Sequence, residues 1–460
     1  MKIICIEPRS PGIHIFTKWA SIPRLGLPIL GTMLAEVGHE VKIFVEEIAK
    51  INWEEVFSAD LVLISTITST APKTYDLAKR ISEKGIPVVL GGPHPTELPE
   101  EALEYADFVV RGEGEEAILP LVRAIETGKG LENIRGLSYR LFGRIFHNPM
   151  PESRCDINKY PAPNFLLIEK WKGNKIVPIQ TSRGCPFNCE FCSVTKIFGR
   201  RMRYKTTERI VEEIKSQDCK HIFFCDDNFT ADREKTKALL RGIIREGIHI
   251  SWGTQVRVDA AQDEELVALM KKTGCFMVYV GIESVNPESL KAARKGQTID
   301  DIVAGIRVFR RYGIKIHGMF VIGFDTDDIK TIQRIVKFAK KEEIDSIQIM
   351  ILTPLPGTVT REELEKEGRL LPEIGWDKYD GHHVVFRSNI IPDRLQIEAM
   401  KAMAKFYSWR MIVKEFLKGN WWGTMVGVYG HRLVKEWKRS VRESFLKKLR
   451  SLSNKLGVKD

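Results

Sequence analysis

Three cysteines crowd one short segment, SRGCPFNCEFCSV: Cys185, Cys189 and Cys192, spaced C-x3-C-x2-C. Soft thiolates suit iron–sulfur clusters or zinc. Three of them in one loop can bind three irons of a [4Fe–4S] cluster and leave the fourth iron open to another ligand. A structural zinc wants a fourth ligand nearby, and no His or Cys follows at finger spacing. The other five cysteines, Cys5, Cys155, Cys219, Cys225 and Cys275, are scattered and read as core thiols.

The elements around this loop alternate between strand and helix. From Ile176 to about Pro356 the runs IVPIQT, HIFFCD, ISWGTQ, FMVYVGIE, KIHGMFVIG and SIQIMIL read as six strands with helices between them. Six parallel strands of this kind predict a full or partial barrel, whose chemistry sits at the C-terminal strand ends. The cysteine loop follows the first of them. Residues 1–128 show a second βα alternation, with strands KIICIE, VKIFV, LVLIST, PVVLGG and DFVVRG, and predict a doubly wound parallel sheet. Ligands of such sheets bind beyond the strand ends. There the sequence places Ser65, Thr66 and Thr68, then Gly91, Gly92 and His94, then Gly112, Glu113 and Gly114. Small residues let backbone approach a ligand, and the same residues also make ordinary βα turns. Residues 129–175 form a linker that contains a hairpin, GLSYRLFGRIFHNP, and four prolines from Pro149 to Pro163. Residues 357–460 read as mostly helical.

CPFNCEFC, with Phe191 before the last cysteine, resembles the signature of the radical S-adenosylmethionine (SAM) superfamily. The resemblance implies a partial (β/α)6 barrel whose open iron is held by the amino and carboxylate groups of SAM. Reductive cleavage of SAM then gives a 5′-deoxyadenosyl radical that abstracts hydrogen from an unactivated carbon. An electron donor of the ferredoxin or flavodoxin type is implied as a partner. Later segments match the same pattern. FFCDDNFT brings Asp226, Asp227 and Asn228 to hydrogen-bond SAM or substrate. TQVRVD brings Gln255 and Arg257, the latter for the methionine carboxylate. YVGIESVNP brings Glu283 and Ser284 for the ribose, and HGMFVIGFDTDD brings Gly318 and Gly323 for the adenine. The front segments RLGLPILGTMLAEVGHEVKIF, STIT, GGPHPT and VVRGEGEEA resemble the cobalamin-binding-like domain of one subgroup. No D-x-H-x-x-G lies in residues 1–40, so no histidine is positioned to ligate cobalt from below; His14 and His94 are the only candidates, His94 in GGPHP reads as lining a corrin face or a turn rather than binding metal, and cobalamin stays open. With cobalamin, methyl transfer follows; without it, cyclisation or cross-linking does.

Composition sets the outer limits. The 460 residues are 43% apolar and 28% charged, which excludes disorder and collagen, and eight cysteines exclude a disulfide scaffold. Scarce Gln beside abundant Lys and Glu leans toward a thermophile. MKIICIEPRS lacks signal-peptide character and no run of about 18 apolar residues exists, so a cytoplasmic location is expected. The net charge of +11 belongs entirely to residues 401–460. There Leu433, Trp437, Val441, Phe445, Leu449, Leu452 and Leu456 make one helix face, with basic residues around it and Trp421 and Trp422 before it. This predicts either a helix lying on an anionic membrane or one packed on the barrel with a solvated basic face. Nucleic acid ranks last, for want of an aromatic-interleaved basic groove. WDKYDGHHVVF resembles lipid-modifying members of the superfamily, so Trp376, Tyr379, His382 and His383 border either the substrate or a structural lid. The expected substrate is a lipid or another hydrophobic molecule, with C–C bond formation as the outcome. The competing readings are a tRNA or peptide modifier and a cobalamin or SAM sensor. The methylthiolating relatives need a second cysteine trio, and residues 1–150 hold only Cys5.

Overall fold

The computed structural model describes residues 1–11, 22–172, 176–441 and 443–455. The chain separates into two compact units, the first built mainly from residues up to 219 and the second from residues 220 onward, with Phe187–Cys192 also in the second.

The first unit holds a seven-stranded sheet in the order β2-β1-β3-β4-β5-β6-β7. Its strands are Lys2–Glu7 (β1), Glu40–Val45 (β2), Leu61–Ser65 (β3), Val88–Gly91 (β4), Phe108–Val110 (β5), Leu137–Leu141 (β6) and Arg144–His147 (β7). Strands β1 to β5 are parallel, as the sequence predicts. In the interior strand β1, Ile3, Ile4, Cys5 and Ile6 are all fully buried, because helices cover both faces. The predicted hairpin is β6–β7, which adds antiparallel strands to the sheet edge beside β5. Its two-residue turn, Phe142–Gly143, has positive φ at both positions, the geometry that matches strand twist. The strands Val177–Ile179 (β8), Ser182–Arg183 (β9) and Arg203–Tyr204 (β10) complete this unit, and β8 is the run IVPIQT.

The other five predicted strands lie in the second unit as His221–Phe224 (β11), Ser251–Val256 (β12), Cys275–Glu283 (β13), Lys315–Ile322 (β14) and Ser346–Ile351 (β15), all parallel and paired in chain order. The crossover helices Arg233–Arg245, Glu264–Lys272, Ile299–Arg311 and Ile329–Lys341 start on the side-chain caps Asp232, Asp263, Thr298 and Asp328. Alternation sorts each strand. Phe224, Trp252, Val278, Val280, Ile316, Phe320, Ile347 and Ile349 form a dry face. Their neighbours Phe223, Gln255, Tyr279, Met319, Gln348 and Met350 remain partly exposed on the inner face. Gly318 belongs to the dry face, where its hydrogen side meets Phe320, Ile282 and Ile344, so it does not line an adenine site.

The C-terminal region is helical, with Pro392–Phe406, Trp409–Leu417, Trp421–Ser440 and Glu443–Lys455. The stripe expected on one helix runs across two. Leu433, Trp437, Val441, Leu449 and Leu452 are buried, Trp437 against His382 and Phe445 against His383. That face is consumed by packing within the unit and is not free to lie on a membrane; Leu456 falls outside the described residues. No helix among the described residues is long and apolar enough to cross a membrane.

Candidate active site

The cysteine loop is held from both sides of its sequence. Arg183, two residues before Cys185, is buried in the first unit, and its Nη1 and Nη2 bind Glu113 at 2.9 Å and Glu115 at 2.5 Å. Its Nε donates to Gln180 Oε1 at 2.8 Å. Arg203 reaches the other oxygen of Glu113 at 2.8 Å and the carbonyl of Cys155 at 2.8 Å. Burial raises the Glu113 carboxyl, but the two guanidiniums outweigh it and hold it below its ordinary range. A buried carboxylate with two such partners is fixed as an anion. Glu113, assigned by the sequence to a cobalamin pocket, thus has both oxygens in ion pairs with the segments flanking the cysteines.

Cys185, Cys189 and Cys192 are all partly buried. The N–H of Cys192 donates to the carbonyl of Cys189 at 3.1 Å, a turn that keeps these two together. Burial pushes the Cys189 thiol up, while the charges of Lys295 and Arg257 pull it toward thiolate. Among the described residues no three metal-binding side chains converge on one ion position. The thiolates of a cubane bind three different irons and need not converge. By contrast, burial pushes the Cys5 and Cys155 thiols up to about 12, as inert core thiols require.

At the end of β13 the second unit gathers its charged groups. Glu283 sits in the left-handed region at φ 62, a strained backbone for a non-glycine residue. Its carboxylate accepts from Lys295 Nζ at 2.6 Å, and both are buried. A side chain at Gly281 would lie 2.7 Å from that carboxylate and 2.8 Å from that ammonium, so only glycine leaves space for the pair. Arg257 donates to the Lys295 carbonyl at 2.6 Å, with its guanidinium 3.8 Å from the centre of the Phe187 ring. Gln297 straps the strand end by donating to the carbonyl of Gly281 at 3.1 Å, and its buried Oε1 has no hydrogen-bond partner. That orphaned acceptor, beside a cationic cluster, fits a ligand carrying both ammonium and carboxylate groups, as SAM does.

The remaining predicted residues separate into two sets. Asp226 is fully buried, and burial together with the Asp226 charge raises the Asp227 carboxyl to about 7. Gln255 lies on the inner face of the sheet. Phe191 and Gly323 line one cavity of about 160 Å³, where Phe191 meets the edge of Phe324. Ser284 and Asn228 are instead tied up locally: the Ser284 hydroxyl accepts from the Asn286 N–H at 3.1 Å, and the Asn228 carbonyl oxygen from the Thr230 hydroxyl at 3.3 Å. His382 and His383 are buried around Asp380, whose carboxylate is 3.0 Å from His383 Nδ1, which makes a braced loop. Trp376 and Tyr379 meet with tilted rings, centroids 4.8 Å apart, beside the Arg361 guanidinium.

In the first unit the strand-end residues mostly bond to one another. His94 is fully buried, with Nε2 3.1 Å from the Tyr75 hydroxyl and 3.3 Å from Glu101, so it does not present itself to cobalt. His14 lies outside the described residues. Gly92, at φ 104, brings its backbone so close to Thr66 that a Cβ would sit 2.6 Å from the Thr66 carbonyl. Thr66 bonds Thr74, Gly112 donates to Thr96 Oγ1 at 2.9 Å, Gly114 packs on Leu30, Gly91 ends β4, and Thr68 is buried in a short turn. Ser65 is partly exposed, and its carbonyl accepts from Arg24 Nη2 at 3.4 Å. Arg24 Nη1 is buried without a hydrogen-bond partner. That orphaned donor at the carboxyl edge of the sheet fits a carbonyl or phosphate oxygen of a bound cobalamin.

Sequence reasoning missed Phe187, Lys295, Gln297 and the Arg183 network. Phe187 was legible as an aromatic inside the cysteine loop; Lys295 and Gln297 follow a helix end and carry no local signal.

Comparison with known proteins agrees with this geometry. The radical SAM superfamily profile matches residues 179–339, and the B12-binding domain profile matches residues 20–122. The chain belongs to the radical SAM superfamily, in the group that also carries a B12-binding domain, and its cofactors are the [4Fe–4S] cluster, SAM and cobalamin of that group. It is 34% identical over 88% of its length, and 92% of the relative's, to an uncharacterized methyltransferase of Pyrococcus horikoshii. It is 25% identical over 90% of its length, and 89% of the relative's, to the bacteriochlorophyllide d C-12(1)-methyltransferase of Chlorobaculum tepidum. Identity is 28% to the hopanoid C-2 methylase of Rhodopseudomonas palustris, over 76% of this chain and 66% of that one. In fold it is similar to the radical SAM methyltransferase TsrM of Kitasatospora setae, with TM-score 0.70, 18% identity, and 98% and 100% of the two chains covered.

Proposed function

We propose that this chain is a cobalamin-dependent radical SAM methyltransferase that forms a C–C bond on a hydrophobic, lipid-type substrate. The cluster and SAM supply a radical when bound, and cobalamin supplies methyl transfer. Cys185, Cys189 and Cys192 are the residues to hold the cluster. Arg257, Lys295, Glu283 and Gln297 bind and orient the polar end of SAM. A small ferredoxin- or flavodoxin-type protein is the electron donor.

The observation that carries the substrate reading is the inner face of the second sheet. Phe223, Tyr279, Met319 and Met350 stay partly exposed there, beside Gln255, Gln348, Ser346 and a buried His317, while Lys315 on the same face stands at the start of β14. Burial lowers the His317 pKa to about 4, so this imidazole is neutral at neutral pH. A mid-strand surface of aromatic and thioether groups suits an apolar molecule. The names of the hopanoid and bacteriochlorophyllide relatives point the same way. Lipid extracts from gene-deleted and parent cells, run beside tRNA digests, test this. Loss of a methylated lipid supports it; an unchanged lipid profile with a lost tRNA modification overturns it.

A further inference from the structure

Six of the fourteen large apolar side chains that the described residues leave exposed lie in one helical hairpin. Trp409, Val413, Phe416 and Leu417 are exposed on the helix Trp409–Leu417, and Trp421 and Met425 on the next, Trp421–Ser440. The first four recur at i, i+4, i+7 and i+8, a single helix stripe. Leu417 is 77% exposed and Trp421 68%, so these are not rim residues of a core. Phe416 and Trp421 meet edge to face at 5.4 Å and make the two helices present one continuous surface.

The stripe is not needed to hold the hairpin. Its opposite side packs through Ile412 and Met411 onto Gly427, where a Cβ would come within 2.9 Å of either side chain. Tyr407 packs on Gly430, and its hydroxyl donates to the Ile347 carbonyl at 2.7 Å and accepts from the Ile347 N–H at 2.9 Å. The hairpin is thus fixed to β15 from within and apolar on the outside as well.

Charge decides what covers it. Arg410 and Lys414 on this short helix and Lys418 at its C-cap are exposed; the helix's one carboxylate, Glu415, is occupied by Asn420 and Lys418, and Glu343 nearby leaves the patch with a cationic excess. A second copy paired across a two-fold axis would set these cations against their own equivalents. An anionic lipid surface instead takes the Trp, Phe, Leu and Met side chains below its headgroups and the cations among them. Nine residues of helix span roughly 13 Å, enough to lie in the interface and far too short to cross it.

We infer that the hairpin of residues 409–425 is a docking surface for anionic membranes. It stands on this surface alone and does not depend on which substrate the enzyme modifies. The test is co-sedimentation of the intact chain with phosphatidylcholine vesicles, with and without phosphatidylglycerol. The expected result is binding that requires phosphatidylglycerol, is weakened by salt, and falls about tenfold or more in the variant Phe416→Ser/Leu417→Ser/Trp421→Ser. The charge variant Lys414→Gln/Lys418→Gln, at exposed positions where the Lys418 ion pair with Glu415 is long at 3.8 Å, is expected to bind more weakly as well, with its thermal unfolding little changed. Absence of binding to either vesicle, or undiminished binding by the charge variant, overturns the inference. So does a dimer that the apolar variant converts to monomer, which would assign the surface to a second copy.

Discussion

The strand-end loops of the two sheets are built from similar residues and finish in different states. After β3, β4 and β5 of the first unit, hydroxyls, glycines and carboxylates bond to each other: Thr66 to Thr74, His94 to Tyr75, and Glu113 to Arg183 and Arg203. After β11 and β13 of the second unit, the groups stay strained or unsatisfied. Glu283 is left-handed, Gln297 keeps a buried acceptor unpaired, and the Asp227 carboxyl is lifted to about 7. Unpaired buried groups are costly, so they persist where a ligand completes them. We read the first set as mainly framework, with open donors at Arg24, Arg111 and Arg203, and the second as the proposed binding machinery.

Substitutions can break that division. The largest effect is expected from Arg183→Leu, which leaves Glu113 and Glu115 buried with one cation between them. Breaking a buried network of this kind costs about 3–5 kcal/mol. Thermal unfolding should fall sharply and iron loading with it, and unchanged melting would show the network to be idle. Glu283→Gln should do the reverse. Fold and iron content survive, while the dissociation constant for SAM, measured by calorimetry, rises about tenfold as Lys295 loses its charge partner and the site its geometry. A large loss of stability with unaltered SAM binding would place Glu283 with the framework.

Asp227 gives a pH signature. Its carboxyl is raised from 3.8 to about 7 in the folded chain, so between those values the folded state holds a proton that the unfolded state has lost. Stability from this group is thus present at low pH and declines as pH rises through about 7. Asp227→Asn should flatten that part of the pH–stability curve and make the protein more stable above it. An unchanged slope would mean the carboxyl is already ionised. The smallest effect is expected from His94→Phe, which should lower stability by about 1–3 kcal/mol through the loss of the Tyr75 and Glu101 contacts. Cobalamin retained by the variant, measured by its absorbance after gel filtration, fits a framework histidine; cobalamin lost would make it a ligand.

Much of this was legible in the sequence because its signals are local. Short apolar runs marked ten of the parallel strands, and the cysteine spacing marked the loop that follows β8. The bonds inside the first unit were not legible, since Glu113 lies seventy residues before Arg183 and no pattern announces the pair. The tail shows a different limit. Its apolar stripe and basic residues are equally compatible with a membrane and with a protein surface, and only packing distinguishes them. Leu449 and Trp437 proved buried, while Leu417 and Trp421, outside the counted stripe, proved exposed. Amphipathicity shows that a face will be covered and leaves open by what.

The central claim is that Cys185, Cys189 and Cys192 hold a cluster with one iron open to SAM. It is tested most directly by anaerobic reconstitution of the intact chain beside its triple Cys→Ala variant, with iron counted and SAM products followed by mass spectrometry under a strong reductant. The account predicts about four irons per chain and cleavage of SAM to 5′-deoxyadenosine in the first, and neither in the second. A folded wild-type chain that takes up no iron, or a variant that loads iron and cleaves SAM equally well, would contradict it.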